Sequence, residues 1–333
     1  MTAFGKNRWP RCMALLALCG LSIGAAASPA AAQSYPTKPV RFVVAQPPGG
    51  GTDTIGRAVA QGLSELWGQP TIVENKPGAN TIVGAEYVAR AAPDGYTIWV
   101  AGDVGLTHNL FMYSKLPYDP RKDFALITRL LRIHSLLIVP SSLPANNLKE
   151  FVTLMKKDGA KMNFGSPGIG DPSHIGMEWF KNQAGFEMVH VPYKGMAPAL
   201  QGMLAGEIQS VIVSVLTADQ HIKTGKVKPI AISGNARSKT FPDVQTIPEQ
   251  GYPNVSFSFW LALAAPAGTP PDIVKKIAAD TRKVLYDPAF RAKYIDPYGY
   301  ELLGDTPEEF AAFYKSDLIE SEKKVKASGA KLD

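Results

Sequence analysis

The stretch QPPGGGTDTIGR, Gln46–Arg57, separates an apolar, β-branched run, Val40–Ala45, from an amphipathic one. In Thr54–Trp67 the residues Ile55, Val59, Leu63 and Leu66 share one helical face. The local reading is strand, glycine turn, helix. Such a turn leaves the first N–H groups of the helix without intrahelical acceptors, and the helix dipole stands behind them. Glycine lets an oxyanion come within hydrogen-bond distance of the main chain. The turn raises two questions: which anion it meets, and whether that anion reacts or is only held.

Outward from this turn the same alternation continues. Strand candidates are Val40–Ala45, Thr71–Glu74, Tyr96–Ala101, Leu136–Val139, Met162–Phe164, Met188–Val191, Ser210–Val215, Pro229–Ser233 and Phe257–Ala264. Helical signals lie between them. Thr269-Pro-Pro-Asp272 opens one helix, and Thr306-Pro-Glu-Glu309 is a capping box that begins the terminal one. Proline- and glycine-rich loops fall at Lys76–Asn80, Pro93–Tyr96, Pro140–Asn147 and Pro266–Pro271. Strands alternating with helices predict an α/β architecture with largely parallel sheets. An internal echo refines it: PPGGGTDTIG (Pro47–Gly56) and SPGIGDPSHIG (Ser166–Gly176) repeat one order, about 120 residues apart. Two such turns predict two lobes whose concave faces close on one ligand.

Lys6, Arg8 and Arg11 precede the apolar run Cys12–Ala27, and Ser28–Gln33 is rich in small residues. This pattern reads as a secretory signal over 1–32. A membrane anchor needs about 20 apolar residues, and a lipid anchor on Cys19 is disfavoured by the bulky Leu18 before it. Both cysteines of the 333-residue chain lie in this segment, so the exported chain carries no disulfide framework and no thiolate chemistry. The net charge of +6 falls to +3 once the three signal cations are gone, which removes compositional support for nucleic-acid binding. About 300 residues remain, enough for two lobes.

The motifs of several reactions are missing. No lysine follows the glycines as a phosphate-binding loop requires, Asp53 would repel a triphosphate, and neither Gly49 nor Gly51 starts a dinucleotide G-x-G-x-x-G. None of Ser166, Ser173, Ser214 and Ser233 sits in a nucleophile elbow. The histidines 108, 134, 174, 190 and 221 are scattered, without metal-ligand spacing. No cofactor and no metal are expected. Structural readings stand beside the binding ones. Thr52 and Asp53 serve equally as helix caps, His174 as a packed or capping group, Tyr193-Lys194 as a solvated strand end, Trp99 and Trp260 as core, and Asn80 as turn chemistry.

The ordered set VVAQPPGGGTDTIGRAVAQGLSELWGQPTIVENKPGAN (43–80), AAPDGYT (91–97), LPYDPRKDFALIT (116–128), HVPYKG (190–195) and FWLALAAPAGTP (259–270) resembles the Bug-type periplasmic solute receptors of the tripartite tricarboxylate transporter family. The resemblance spans about 38 to 330. It implies a Venus-flytrap receptor with two α/β lobes, the first at 33–131 plus 255–333 and the second at 132–254. Two crossover strands are implied near Arg132–Val139 and Phe257–Leu263. It further implies a periplasmic, monomeric, non-enzymatic protein that holds a small carboxylate by main-chain amides and water. The implied ligand residues are Gly49, Gly50, Gly51 and Asp53 in one turn and Ser166, Gly168, Gly170, Ser173 and His174 in the other, with Asn80 beside them. The partners implied are the large and small membrane subunits of such a transporter, and no nucleic acid. A sensing subunit for a signalling kinase would share the fold and site, and an exported hydrolase is a more distant alternative. Where the family often shows acids after Gly206-Glu-Ile, this chain has Gln209 and Val213, so a less polar distal group on the ligand is expected.

Overall fold

The computed structural model describes residues 35–332, and from Lys38 onward the chain forms one compact unit. The expected signal at 1–32 lies outside the described residues. The chain begins with β1 (Val40–Val44), α1 (Gly51–Trp67), β2 (Thr71–Asn75), α2 (Ile82–Ala89) and β3 (Thr97–Gly102). A single π turn, Val104–His108, leads into α3 (Asn109–Met112), then β4 (Phe124–Ile133), β5 (Ser135–Pro140), α4 (Leu148–Asp158) and β6 (Asn163–Ser166). There follow α5 (Pro172–Ala184), β7 (Val189–Pro192), α6 (Met196–Leu204), β8 (Ser210–Ser214), α7 (Val215–Lys223) and β9 (Val227–Ile232). The chain closes with β10 (Phe259–Pro266), α8 (Pro271–Tyr286), α9 (Pro288–Tyr294), β11 (Glu301–Leu302) and α10 (Pro307–Ser328).

These strands make two sheets, ordered β11-β4-β10-β3-β1-β2 and β7-β6-β8-β5-β9, each the centre of an α/β lobe. The chain passes from the first sheet to the second at His134, between β4 and β5, and returns through 233–258 into β10. Largely parallel sheets were expected, and both are mixed. β1 pairs in parallel with β2 and β3, and β6 with β7 and β8. The strands that cross between lobes enter from the opposite direction, so β10 is antiparallel to β3 and β4, and β5 to β8 and β9. The parallel part is the one that carries both glycine turns, because a parallel βα unit brings its turn to the carboxyl ends of the strands.

Local chemistry explains the boundaries. The run VRFVV is buried at Val40 and at Phe42–Val44, as a strand covered on both faces requires. Helix α1 buries Ile55, Val59 and Leu63 and stops at Gly68, whose left-handed backbone lets its N–H reach Ser64 O at 3.0 Å. Thr306 and Glu309 form the capping box read in the sequence. Two separate cores result, one around Trp99, Leu106, Trp260 and Phe310, the other around Phe151, Phe164, Phe180 and Phe257. Each such side chain contributes about 1.5–3 kcal/mol on burial.

Candidate functional site

The first glycine turn is braced from within. Asp53 is 3% exposed. Its Oδ2 accepts from Gly49 N at 2.9 Å and Arg57 Nε at 3.0 Å, and its Oδ1 from Asn75 Nδ2 at 2.8 Å. The same Asn75 amide donates to Gln46 O at 3.0 Å, pinning the end of β1 to the end of β2. Burial raises the Asp53 pKa, but the bonds from Arg57, Gly49 and Asn75 outweigh it and hold the carboxyl below its ordinary value. Both Asp53 oxygens thus accept bonds that hold the turn against α1 and β2. Gly49 takes φ +85°, the left-handed conformation this bracing needs.

What the brace leaves open is the helix entrance. Gly50 is the N-cap of α1, extended, with no side chain capping the helix. Gly50 and Gly51 are exposed. A Cβ on Gly50 would meet nothing nearer than Pro47 O at 3.9 Å, and one on Gly51 nothing within 4 Å. The first amides of a 17-residue helix therefore face outward with the dipole behind them.

The second turn is satisfied internally. Ser166 Oγ donates to Gly168 O at 2.9 Å and accepts from Gly168 N at 3.2 Å, with His190 Nε2 at 2.7 Å. Gly170 N donates to His174 Nδ1 at 3.2 Å, which places the His174 proton on Nε2. Asp171 caps α5 by accepting from Ser173 N at 2.8 Å and Ser173 Oγ at 2.6 Å. The rings of His174 and His190 stack with centroids 3.9 Å apart, and His190 lies on Phe164 at 4.8 Å. Burial, then the neighbouring His190 and Lys181, push His174 down to about 3, and burial with Lys181 pushes His190 to about 4. Both rings are neutral at pH 7. The Ser166 hydroxyl, the Gly168 and Gly170 amides and the Ser173 amide and hydroxyl are thus engaged within the turn.

The bare entrance in the second lobe belongs to α6. Its N-cap, Gly195, has φ +119° and no side-chain cap. The loop before it is laced to the second turn by Tyr193 N to Ser166 O at 2.9 Å and Gly195 N to Pro167 O at 3.1 Å. Sequence reasoning did not single out Gly195 as the N-cap of an uncapped helix entrance. The signal was present in HVPYKG, a strand followed by glycine and then a helical run.

The lobes touch beside these turns. A Cβ on Gly170, at φ +81°, would stand 2.5 Å from Met112 Sδ and 3.1 Å from Asn80 Nδ2, so glycine is what permits the approach. Met112, Ile175, Val325 and Ala330 form a small apolar cluster uniting α3, α5 and the end of α10. Asn75 braces the first turn, and the loop 76–80 that follows it carries Asn80 to Gly170 of the second.

Gln209 and Val213, the positions where the family often shows acids, are both engaged within the second lobe. Gln209 Oε1 accepts from Asn163 N at 2.8 Å, at the starting end of β6 and β8, and Val213 is 2% exposed in the core. A cavity of about 610 Å³ lies on the other flank of the crossover, by β9 and β11, lined by Arg132, His134, Arg237 and Arg291 among others. Its arginines are paired, with Glu301, Glu249 and Asp296 respectively. The α1 entrance at Gly50 and Gly51, exposed and without a capping side chain, fits an anion better. Among the described residues there is no cluster able to hold a metal ion, and no helix long and apolar enough to cross a membrane.

Two α/β lobes joined by crossover segments, with helix entrances at their contact, define the class of the solute-binding proteins. The model of the tripartite tricarboxylate transporter family receptor matches residues 55–329. The chain is 37% identical over 298 residues to a UPF0065 protein of Bordetella pertussis, covering 89% of this chain and 91% of that one. It is similar to the periplasmic binding protein BugD, with TM-score 0.78, 31% identity, and 89% and 99% of the two chains covered. R. palustris Rpa4515 with adipate matches with TM-score 0.81 and 29% identity, covering 89% and 98%. MatC from Rhodopseudomonas palustris with bound malate matches with TM-score 0.77 and 29% identity, covering 87% and 100%. The chain belongs to the tripartite tricarboxylate transporter receptor family, as a Bug-type solute-binding receptor.

Proposed function

We propose that this receptor works in the periplasm, after removal of residues 1–32. There it captures a small organic carboxylate between its lobes and delivers it, unaltered, to the membrane subunits of a tripartite transporter. The observation that carries this reading is the uncapped, exposed entrance of α1 at Gly50 and Gly51, braced by Asp53. The adipate and malate named with two relatives support a carboxylate of this size. Hydrogen bonds to a charged group contribute about 1.5–3 kcal/mol each, and a micromolar complex needs about 8 kcal/mol. Four to six donors from α1, α6 and bridging water suffice on that scale after entropy losses. No arginine clamp is needed. Donors drawn from both lobes are complete only when the lobes meet, so ligand shifts the population toward closure.

The test is Gly50→Leu, assayed by calorimetry against adipate and malate. The backbone of Gly50 is extended and its Cβ position is open, so the fold accepts the side chain while the donors are covered. We expect at least a tenfold loss of affinity, the equivalent of about 1.4 kcal/mol, with the melting temperature of the free protein unchanged. Undiminished affinity in Gly50→Leu would remove the α1 entrance from the site.

A further inference from the structure

The loop between β2 and α2 has an unusual backbone. Ala79, Asn80 and Thr81 take φ of +44°, +51° and +75°, three consecutive non-glycine residues in the left-handed region. Alanine and β-branched threonine rarely adopt it. Such conformations persist only where the surroundings over-determine them, and they concentrate at ligand clamps. Thr81 is also the N-cap of α2, and its side chain makes no capping bond. Its buried Oγ1 has no hydrogen-bond partner.

The turn is held from within its own lobe. Asn109, fully buried at the start of α3, grips Asn80 twice. Asn80 Nδ2 donates to Asn109 Oδ1 at 2.9 Å, and Asn109 Nδ2 donates to Asn80 O at 2.8 Å. Asn109 directly follows the π turn Val104–His108, the extra residue of which sets the direction of the next side chain. On its other side Asn80, together with the nearer Met112 of the same lobe, is what Gly170 of the second lobe approaches: a Cβ there would meet Met112 Sδ at 2.5 Å and Asn80 Nδ2 at 3.1 Å. A strained turn, fixed from inside one lobe, is thus presented to the other.

We propose that Asn109 is a positioning residue for lobe closure. It holds the Ala79–Thr81 turn in its left-handed form so that the Asn80 amide receives the Gly170 turn at a fixed spacing. This rests on the reading of the protein as a closing receptor. With Asn109 shortened, the turn relaxes toward ordinary backbone angles, Asn80 withdraws, and the closed state loses its seat in the first lobe. Closure, rather than folding, bears the effect.

Two measurements test it. In the first, affinity for adipate and malate and the dissociation rate are determined for Asn109→Ala, Gly170→Ala and the double variant. We expect Asn109→Ala to weaken binding about tenfold through faster dissociation. In the Gly170→Ala background, where the added Cβ already crowds Met112 and Asn80, the Asn109→Ala effect should be smaller than in the parent if Asn109 acts through this contact. Multiplying effects would show that Asn109 acts elsewhere and overturn the proposal. In the second, Cys12→Ser and Cys19→Ser leave spin labels at Glu65→Cys in α1 and Gln201→Cys in α6 as the sole reporters of the distance between lobes. In the ligand-free protein, Asn109→Ala should shift that distribution toward the longer, open distances. An unchanged distribution with only a lower melting temperature would reduce Asn109 to a fold-stabilising residue. This readout needs no ligand, so failure of the unsubstituted protein to bind any carboxylate would sink the proposed function and leave the closure measurement standing.

Discussion

Asp53 shows how one residue's role is decided by partners far away in sequence. A carboxylate just after three glycines reads equally as a cap, a ligand contact or a repellent of phosphate. Its actual partner Asn75 is 22 residues on, at the end of the next strand, where no local pattern points back to it. Once that bond is seen, a stability prediction follows. Asp53→Ala leaves Gly49 N and the Arg57 guanidinium without their acceptor, and should lower the urea unfolding free energy by about 1–3 kcal/mol. The sign with pH is fixed too. The folded pKa lies below the ordinary 3.8, so this contribution is present above that value and is lost as pH falls through the folded pKa. Asp53→Asn should therefore flatten the acid limb of the stability profile below about pH 4. A variant as acid-sensitive as the parent would show that other carboxylates set that limb.

At the scale of elements, helix starts were legible, and so were the crossing strands β5 and β10, read at Leu136–Val139 and Phe257–Ala264, whereas β4 was not. The capping box at Thr306, the glycine turn before α1 and the Pro172 start of α5 are local patterns, and the structure keeps each of them. Strand β4 escaped notice because Arg129 and Arg132 interrupt its apolar run. Arg129 is nevertheless buried between β10 and β11, its charge met by Asp305 and its guanidinium lying 3.6 Å from the Phe313 ring centre. The π turn and α3 carry no signal that periodicity detects. The second glycine turn was legible as a turn, yet His174 was not legible as the acceptor of the Gly170 amide, nor His190 as the partner of Ser166. His174 and His190 stack, neutral, with pKa values near 3 and 4 against 6.5 when unfolded. Between pH 6.5 and about 4 the unfolded chain binds more protons at these sites than the native one, so stability falls as pH falls through that window. Unfolding at pH 5 should take up about two protons from this pair alone, read from the slope of unfolding free energy against pH. His174→Asn should reduce the uptake by about one. An unaltered slope would mean that His174 is already protonated in the native state.

For the whole molecule, the two-lobed plan could be read from an echo of ten residues, whereas the contact between lobes could not. That contact depends on Gly170, Asn80 and Met112 meeting across more than one domain's worth of chain. It has an electrostatic consequence. Asp103, at the end of β3, accepts from Val104 N at 2.8 Å and is buried, and Asp171 of α5 adds its charge from the other lobe. Asp317 and Lys324 of α10 face the same group. Burial, then Asp317 and to a smaller degree Asp171, raise Asp103 well above 3.8, and burial raises Asp171 as well. Parting the lobes moves Asp171 away from Asp103 and returns it toward water, where a carboxyl regains its ordinary value. The closed form thus holds protons more tightly than the open one. Closure is favoured as pH falls, and that advantage is lost as pH rises through the raised values. Affinity for adipate should strengthen as pH falls through the raised carboxyl values, by at most about tenfold per unit for each proton coupled, while the ligand stays ionised. His174 and His108, both held near 3, titrate below these raised values, so the slope belongs to the carboxyls. Asp171→Asn keeps an acceptor for Ser173 N and removes the charge, and should flatten the profile. A flat profile in the unsubstituted protein would place the burial of these acids inside the separate lobes, with closure costing them nothing.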